Sequence, residues 1–510
     1  MEPTNIPTAT IAELQAAMSA GQLTSAALVA HFLARIAAID WSGPQLNAVI
    51  EVNPDAGAIA AQLDQERRAG RACGPLHGIP ILLKDNIDTA DRMGTTAGSL
   101  ALVGAPPAQD ASIARRLRAA GAILLGKTNM SEWANFRSMF SSSGWCGRNG
   151  QSHNPYVLDR NPCGSSSGSA IAAAAGLAAA CIGTETDGSI VCPAGANGVV
   201  GLKPTVGLTS RAGVVPISHT QDTIGPLARC VADAAALLPA IVGAAPRDPA
   251  PHIVEGTLDY TQYLDADGLR GAHIGVARNL GFGPSPKADA VIEAAIERMR
   301  AAGAEIVDPV DLPSDQKAAE AAEFEVLLYE FKADVNQYLA TRAGTALEAE
   351  GFARSLAGLI AFNDAGEHRD RELRHFGQDI FILAQARGDL ATPDYLEALA
   401  TSQRLSRQEG LDAVMDQHRL DALVAPTGGP AAPIDLVNGD RGIGGSCGPA
   451  ARAGYPLISV PAGFVSELPV GLTFMGRAFS EPLLIRLAYA FEHAARAWRA
   501  PGFIPTLSER

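Results

Sequence analysis

Residues 162–183 read Pro162-Cys163-Gly164-Ser165-Ser166-Ser167-Gly168-Ser169 and then a small apolar run from Ala170 to Gly183. About 14 such residues, broken by Gly176, fall short of the roughly 18 to 20 that a membrane span needs, so the run reads as a buried helix. Ser and Gly in front of it set hydroxyls and free backbone N–H groups at the positive helix end. An anion or a developing oxyanion is stabilised there, and an ammonium is discouraged. Upstream, Ile79-Pro80-Ile81-Leu82-Leu83 and Ala122-Ile123-Leu124-Leu125 are short apolar runs separated by a helical stretch from Ala111 to Ala120. Alternation of this kind predicts an α/β sheet with helices on its faces.

Farther out, Thr10-Ile11-Ala12-Glu13 has the spacing of a capping box, and Leu14 to Ala20 closed by Gly21 makes a helix. Thr24 or Ser25 caps a second one, with Leu28, Phe32, Leu33 and Ile36 at helical spacing, so residues 11–39 form a helical pair. Residues 280–420 are charged and rich in Ala, Glu, Leu and Arg, which predicts several amphipathic helices. Strand texture returns in Leu423-Val424-Ala425-Pro426, Leu457-Ile458-Ser459-Val460 and Val470-Gly471-Leu472-Thr473-Phe474, before a last helix from about Ser480 to Trp498. Strands on both sides of a helical middle predict one sheet. The expected organisation is a single domain over 1–510: an N-terminal helical cover (1–70), a motif-dense core (71–235), and a helical middle with C-terminal strands completing the same sheet (236–510).

Of 510 residues, 47% are hydrophobic and 18% charged, which excludes a disordered chain. A net charge of −14 argues against a broad basic surface for nucleic acid or anionic lipid, and neither partner is expected. The seven cysteines (73, 146, 163, 181, 192, 230 and 447) are odd in number and contain no CxxC pair. Reduced thiols are therefore expected, with Cys163 and Cys192 as small buried side chains. The N-terminus carries no cationic, apolar and small-residue signal pattern, and the cytoplasm is the expected compartment. His77, His153 and His219 show no HxxxH spacing, so no metal is expected.

Lysine is scarce, with six against 34 arginines, yet Lys84, Lys127 and Lys203 follow apolar or glycine-containing runs where a solvated lysine is out of place. An ammonium forced into a dry site tends to lose its proton and become a base. Residues 183–193 set Ser189 after Gly188, where a tight turn aims consecutive N–H groups into one concavity able to hold an oxyanion. The long Ser/Gly/Asn/Pro-rich stretch 134–168 is of the kind that carries function. Gly164 to Gly168 also satisfies G-x-S-x-G, with Ser166 central. That elbow must follow a buried strand, however, and His153 to Pro162 is polar and twice interrupted by proline, so the reading fails.

Together these segments resemble the amidase signature family, hydrolases that use a Ser-cisSer-Lys triad, most densely from Gly74 to about Ala235. By that resemblance Lys84 matches the base, Ser165 the serine preceded by a cis peptide bond, and Ser189 the nucleophile. The backbone N–H groups of Thr186, Asp187, Gly188 and Ser189 fall where the family builds its oxyanion hole. Ser138-Met139-Phe140-Ser141 resembles a substrate-contacting loop, which makes Met139 and Ser141 candidate binding residues. Asp187 departs from the commoner glycine beside the nucleophile. The wording around both serines is most similar to that of bacterial peptide amidases, which release ammonia from C-terminal peptide amides and leave internal bonds intact. The resemblance thus implies an α/β amidase signature fold, a large mixed central sheet covered by helices on both faces. It implies a peptide or small-molecule amide substrate, no cofactor and no obligate partner subunit, with Lys127 and Lys203 holding loops or sheet edges. The alternatives are an amidase for small acyl, aryl or indole acetamides, a glutaminase subunit of a tRNA-dependent amidotransferase, and a catalytically silent binding protein.

Overall fold

The apolar runs singled out above become neighbours in one sheet. In the computed structural model, which describes residues 2–248 and 259–508, eleven strands hydrogen-bond side by side. One half, read from the edge inward, is Val49–Val52, Ile123–Thr128, Pro80–Lys84, Ala180–Glu185, Thr223–Ala228 and Val200–Lys203. The other half continues with Leu457–Val465, Leu468–Met475, Ala422–Pro426, His273–Val276 and Glu305–Val307. Pro80–Lys84 runs parallel to both of its neighbours, whereas Ala180–Glu185 and Thr223–Ala228 are antiparallel, so the sheet is mixed. Leu457–Ser459 on Gly201–Lys203 joins the two halves.

Strands 80–84, 123–128, 180–185, 200–203, 223–228, 422–426 and 468–475 are buried at every residue. Successive side chains point to opposite sides, so full burial means that both faces are covered, and the near-continuous apolar sequence of these strands follows. The N-terminal helices form part of that cover. Thr10 and Glu13 make the reciprocal capping box at the start of Ile11–Ser19, and Thr24 caps Ser25–Arg35. The charged middle forms helices including Pro286–Ala301, Gln316–Ala340 and Pro393–Ser406, and Glu481–Ala495 is the last.

The run Ala170 to Gly183 departs from expectation. Its helix spans Ser167–Ala175 and stops at Gly176, whose φ of 65° is a left-handed cap that a side chain would strain. Ala180–Glu185 is a central strand instead. Helix and strand buried on all sides have the same small apolar composition, so composition alone could not divide the run. The division matters for the site. The helix begins at the serines of 165–167, and the strand delivers Thr184 and the turn holding Ser189.

Candidate active site

Two neighbouring parallel strands, Pro80–Lys84 and Ala180–Glu185, and two turns converge at the C-terminal end of Pro80–Lys84. Lys84 is fully buried as the last residue of that strand. Its Nζ lies 2.7 Å from Ser165 Oγ, 2.8 Å from Thr184 Oγ1 and 3.2 Å from the Thr184 carbonyl. No carboxylate is within hydrogen-bond reach of this amine among the described residues. Burial pushes the Lys84 pKa down to about 7, against the upward pull of the Asp222 and Glu185 charges. Asn86, in the turn that follows the strand, donates its Nδ2 to Thr184 Oγ1 at 2.9 Å.

Ser165 follows a cis peptide bond from Gly164. Its carbonyl accepts from Ser131 N, which ties the serine loop to the segment after strand 123–128. Ser166, the centre of the rejected G-x-S-x-G, serves as a brace. Its Oγ donates to the Thr184 carbonyl at 3.0 Å and its N–H donates to the Ser189 carbonyl at 3.1 Å. Ser189 is thereby held against the serine loop, with 8% of its surface exposed.

The turn carrying Ser189 is fixed from outside its own backbone. Glu185 accepts Ile190 N at 2.7 Å and Val191 N at 3.0 Å, and Asp222 accepts Thr186 Oγ1 at 2.6 Å. Asp222 also accepts the N–H groups of Ile217 and Ser218, so a second loop is pinned by the same carboxylate. The N–H groups of Asp187, Gly188 and Ser189 find no acceptor among the described residues. Three free donors on one turn form a concavity for negative charge. Asp187 keeps an ordinary negative φ, and the unusual conformation falls on Gly188 at φ 79°. A Cβ there would meet Cys447 Sγ at 2.9 Å, so glycine is required for space as well as for φ.

Met139 is 63% exposed, while Ser141 Oγ donates to the Ser138 carbonyl at 2.9 Å within its own turn. The other two lysines sit elsewhere. Lys127 Nζ donates to the Ile87 carbonyl at 2.6 Å and to Thr95 Oγ1 at 2.8 Å, and Lys203 Nζ donates to the Pro204 carbonyl at 3.2 Å. His219 faces Asp334 through Nδ1 at 2.9 Å and Glu330 through Nε2 at 3.4 Å. Burial lowers its pKa, and the Asp334 hydrogen bond with the two acidic charges outweighs that, so the net shift is upward. With each ring nitrogen turned to a different carboxylate, the cluster suits an imidazolium better than a metal ligand.

One expectation is corrected outright: Cys163 and Cys192 form a disulfide, leaving Cys73, Cys146, Cys181, Cys230 and Cys447 free. An odd count with no CxxC gave no sign of it because the two residues are 29 positions apart and meet only when the two serine turns dock. Sequence reasoning also passed over Thr184, Asn86 and Asp222. None of the three carried a local signal: Asn86 lies in the turn after strand 80–84 and meets Thr184 only through the fold.

A desolvated lysine against a serine, beside a turn with three unused N–H donors, is the equipment of an acyl-transfer hydrolase. The Amidase family model matches residues 27–485. A probable amidase of Arabidopsis thaliana is 41% identical over 511 aligned positions, which cover 98% of this chain and 92% of that one. A glutamyl-tRNA(Gln) amidotransferase chain of Chloroflexus aurantiacus is 36% identical, covering 95% of this chain and 96% of that one. Among solved structures, the native peptide amidase of Stenotrophomonas maltophilia is 54% identical with a TM-score of 0.90, over 97% of this chain and 98% of that chain. The peptide amidase PAM in complex with the competitive inhibitor chymostatin is 54% identical with a TM-score of 0.91, over 96% and 98%. The chain belongs to the amidase family and is an amide hydrolase of the amidase signature fold.

Proposed function

We propose that this amidase removes the terminal amide from peptides, giving ammonia and the free peptide acid. The observation that carries the reading is the contact between Lys84 Nζ and Ser165 Oγ at 2.7 Å in a site that brings the lysine pKa to about 7. The likeness to peptide amidases at 54% identity supports the substrate class over small acyl amides.

The hydrogen-bond inventory supports a direction for the proton relay. Asn86 Nδ2 can only donate, so it occupies one lone pair of Thr184 Oγ1, and an N–H of neutral Lys84 occupies the other. The second lysine N–H goes to the Thr184 carbonyl. The nitrogen lone pair is then left for Ser165. In the proposed mechanism Lys84 accepts the Ser165 proton while Ser165 takes one from Ser189, whose Oγ bonds to the amide carbon. The N–H groups of the turn from Thr186 to Ser189, of which those of Asp187, Gly188 and Ser189 have no acceptor among the described residues, receive the negative oxygen. Run backwards, the relay protonates the leaving nitrogen, and ammonia departs. Water then retraces the path to free the acid. Met139 and Ser141 belong to the proposal as flanking contacts of the bound peptide.

We take the whole chain as one domain that works without a partner subunit. For the compartment, the Cys163–Cys192 bond favours an oxidising environment over the cytoplasm expected from the sequence, because cytosolic thiols are kept reduced. Mass spectrometry of an amidated peptide after incubation tests the function. A gain of about one mass unit with no internal cuts is the expected outcome, and Ser189→Ala should abolish it. Hydrolysis of acetamides alone would replace the substrate class, and acyl-enzyme on the Ser189→Ala protein would exclude the nucleophile.

A further inference from the structure

The cysteines that sequence reasoning left unpaired frame the chemistry. Cys163 stands two residues before Ser165 and Cys192 three residues after Ser189, so the bond encloses both serines in one covalent ring. Between the 163–167 turn and the 187–192 turn, the described residues share one other polar tie, the Ser166 N–H on the Ser189 carbonyl. At each end the sulfur is rigidly mounted. Cys163 N donates to Asn161 Oδ1 at 2.7 Å, and Ser167 Oγ donates to the Cys163 carbonyl at 2.6 Å. Asn161 in turn donates to Asp440 at 2.7 Å, anchoring that side in the C-terminal half. On the other side Cys192 N donates to the Gly188 carbonyl at 2.8 Å, directly behind the free N–H donors.

We propose that Cys163 and Cys192 are a positioning pair: their disulfide holds the Ser189 turn on the Ser165 loop, and cutting it slows turnover while leaving substrate binding in place. This rests on the reading of Ser165 and Ser189 as the reacting hydroxyls. Hydroxyls that pass protons to one another tolerate little displacement, and a shift of about 1 Å can cost on the order of a hundredfold in rate. The bond is open to chemistry. Both cysteines are partly exposed, and Cys163 borders a cavity of about 50 Å³ together with Asp440 and Ile443. A dithiol such as dithiothreitol supplies two electrons and two protons in two exchange steps, giving two protein thiols and leaving as its own cyclic disulfide.

The test uses the full chain purified without reductant. Denatured samples should show five thiols before dithiothreitol and seven after it. At a temperature where circular dichroism is unchanged by reduction, kcat on a C-terminal peptide amide should fall about tenfold to a hundredfold with KM within about threefold. Fluorophosphonate labelling of Ser189 should slow in step, and reoxidation should restore both. The doubly substituted Cys163→Ser, Cys192→Ser protein should match the reduced enzyme and ignore dithiothreitol. If that variant does not fold, the wild-type redox titration decides alone. Full turnover in protein carrying seven thiols, or seven thiols in protein never exposed to reductant, would overturn the proposal. Redox-dependent labelling in a protein that hydrolyses no peptide amide would instead defeat the substrate reading and leave the positioning pair standing.

Discussion

Lys84 and Lys127 occupy neighbouring parallel strands one register step apart, Lys84 opposite Thr128 and Lys127 opposite Leu83. Adjacent register positions alternate in direction, so the two amines leave the sheet on opposite faces. Both are fully buried, and burial lowers both pKa values. Their company differs. Around Lys127, the charges of Asp85, Asp88, Asp91 and Glu51 all oppose the loss of the proton, and its bonds to Ile87 and Thr95 fasten the loop after strand 80–84. Around Lys84 only Asp222 and Glu185 oppose it, and Asp222 together with one oxygen of Glu185 holds the Ser189 turn and its neighbours. Desolvation alone therefore does not make a base. The neighbouring charges decide, and a free hydroxyl must stand in line with the lone pair.

The same substitution at both positions breaks the comparison most sharply. Lys84→Met is expected to cost about ten-thousandfold in kcat/KM, as loss of a triad member does. Its stability should hold or rise, since a desolvated amine whose charged form burial disfavours has been replaced by an apolar chain of similar length. Lys127→Met is expected to do the reverse: a stability loss of about 3 kcal/mol as Asp85 and Asp88 lose a buried counter-charge, with activity within a few-fold. Steady-state kinetics and urea unfolding on the two proteins check this. An active Lys84→Met enzyme would end the assignment.

Acidity gives a smaller handle on the same contrast. Below its pKa of about 7 Lys84 is charged and holds no lone pair for Ser165, so kcat/KM should climb with pH and level off above it. The rise from pH 5 to pH 8 should be roughly a hundredfold. Were the lysine solvated, the limb would sit near the ordinary value of about 10.4.

How much of this could be read in advance follows from how far apart the interacting residues lie in the chain. Lys84 announced itself because a lysine after Ile-Leu-Leu is locally anomalous, and Ser165 and Ser189 because the turns around them are composed of Gly and Ser. The strands at 80–84 and 422–426 and the Thr10 cap were likewise local patterns. Thr184 and Asp222 were silent, since one is a threonine in a strand and the other an aspartate in a loop. They matter only because strands 80–84 and 180–185 lie side by side while Asp222 precedes the next strand over. The disulfide was hidden for the same reason. The hydroxyl of Ser141 shows a contact of the local kind, its proton going to the Ser138 carbonyl within its own turn.

Thr184→Val makes the finest cut between the two lysines, because it keeps the shape of the side chain and removes only the acceptor that Lys84 and Asn86 share. Two effects of different sign should follow. Without Thr184 Oγ1 the charged amine loses more than the neutral one, so the Lys84 pKa falls and the acid limb of kcat/KM moves to lower pH. The neutral amine meanwhile loses the contact that turns its lone pair to Ser165, and the plateau should drop about tenfold, the scale of one hydrogen bond. A structural defect alone would lower the plateau and leave the limb where it was. A limb that moves to higher pH would mean that Thr184 donates to Lys84 rather than accepting from it, which would reverse the inventory that aims the base.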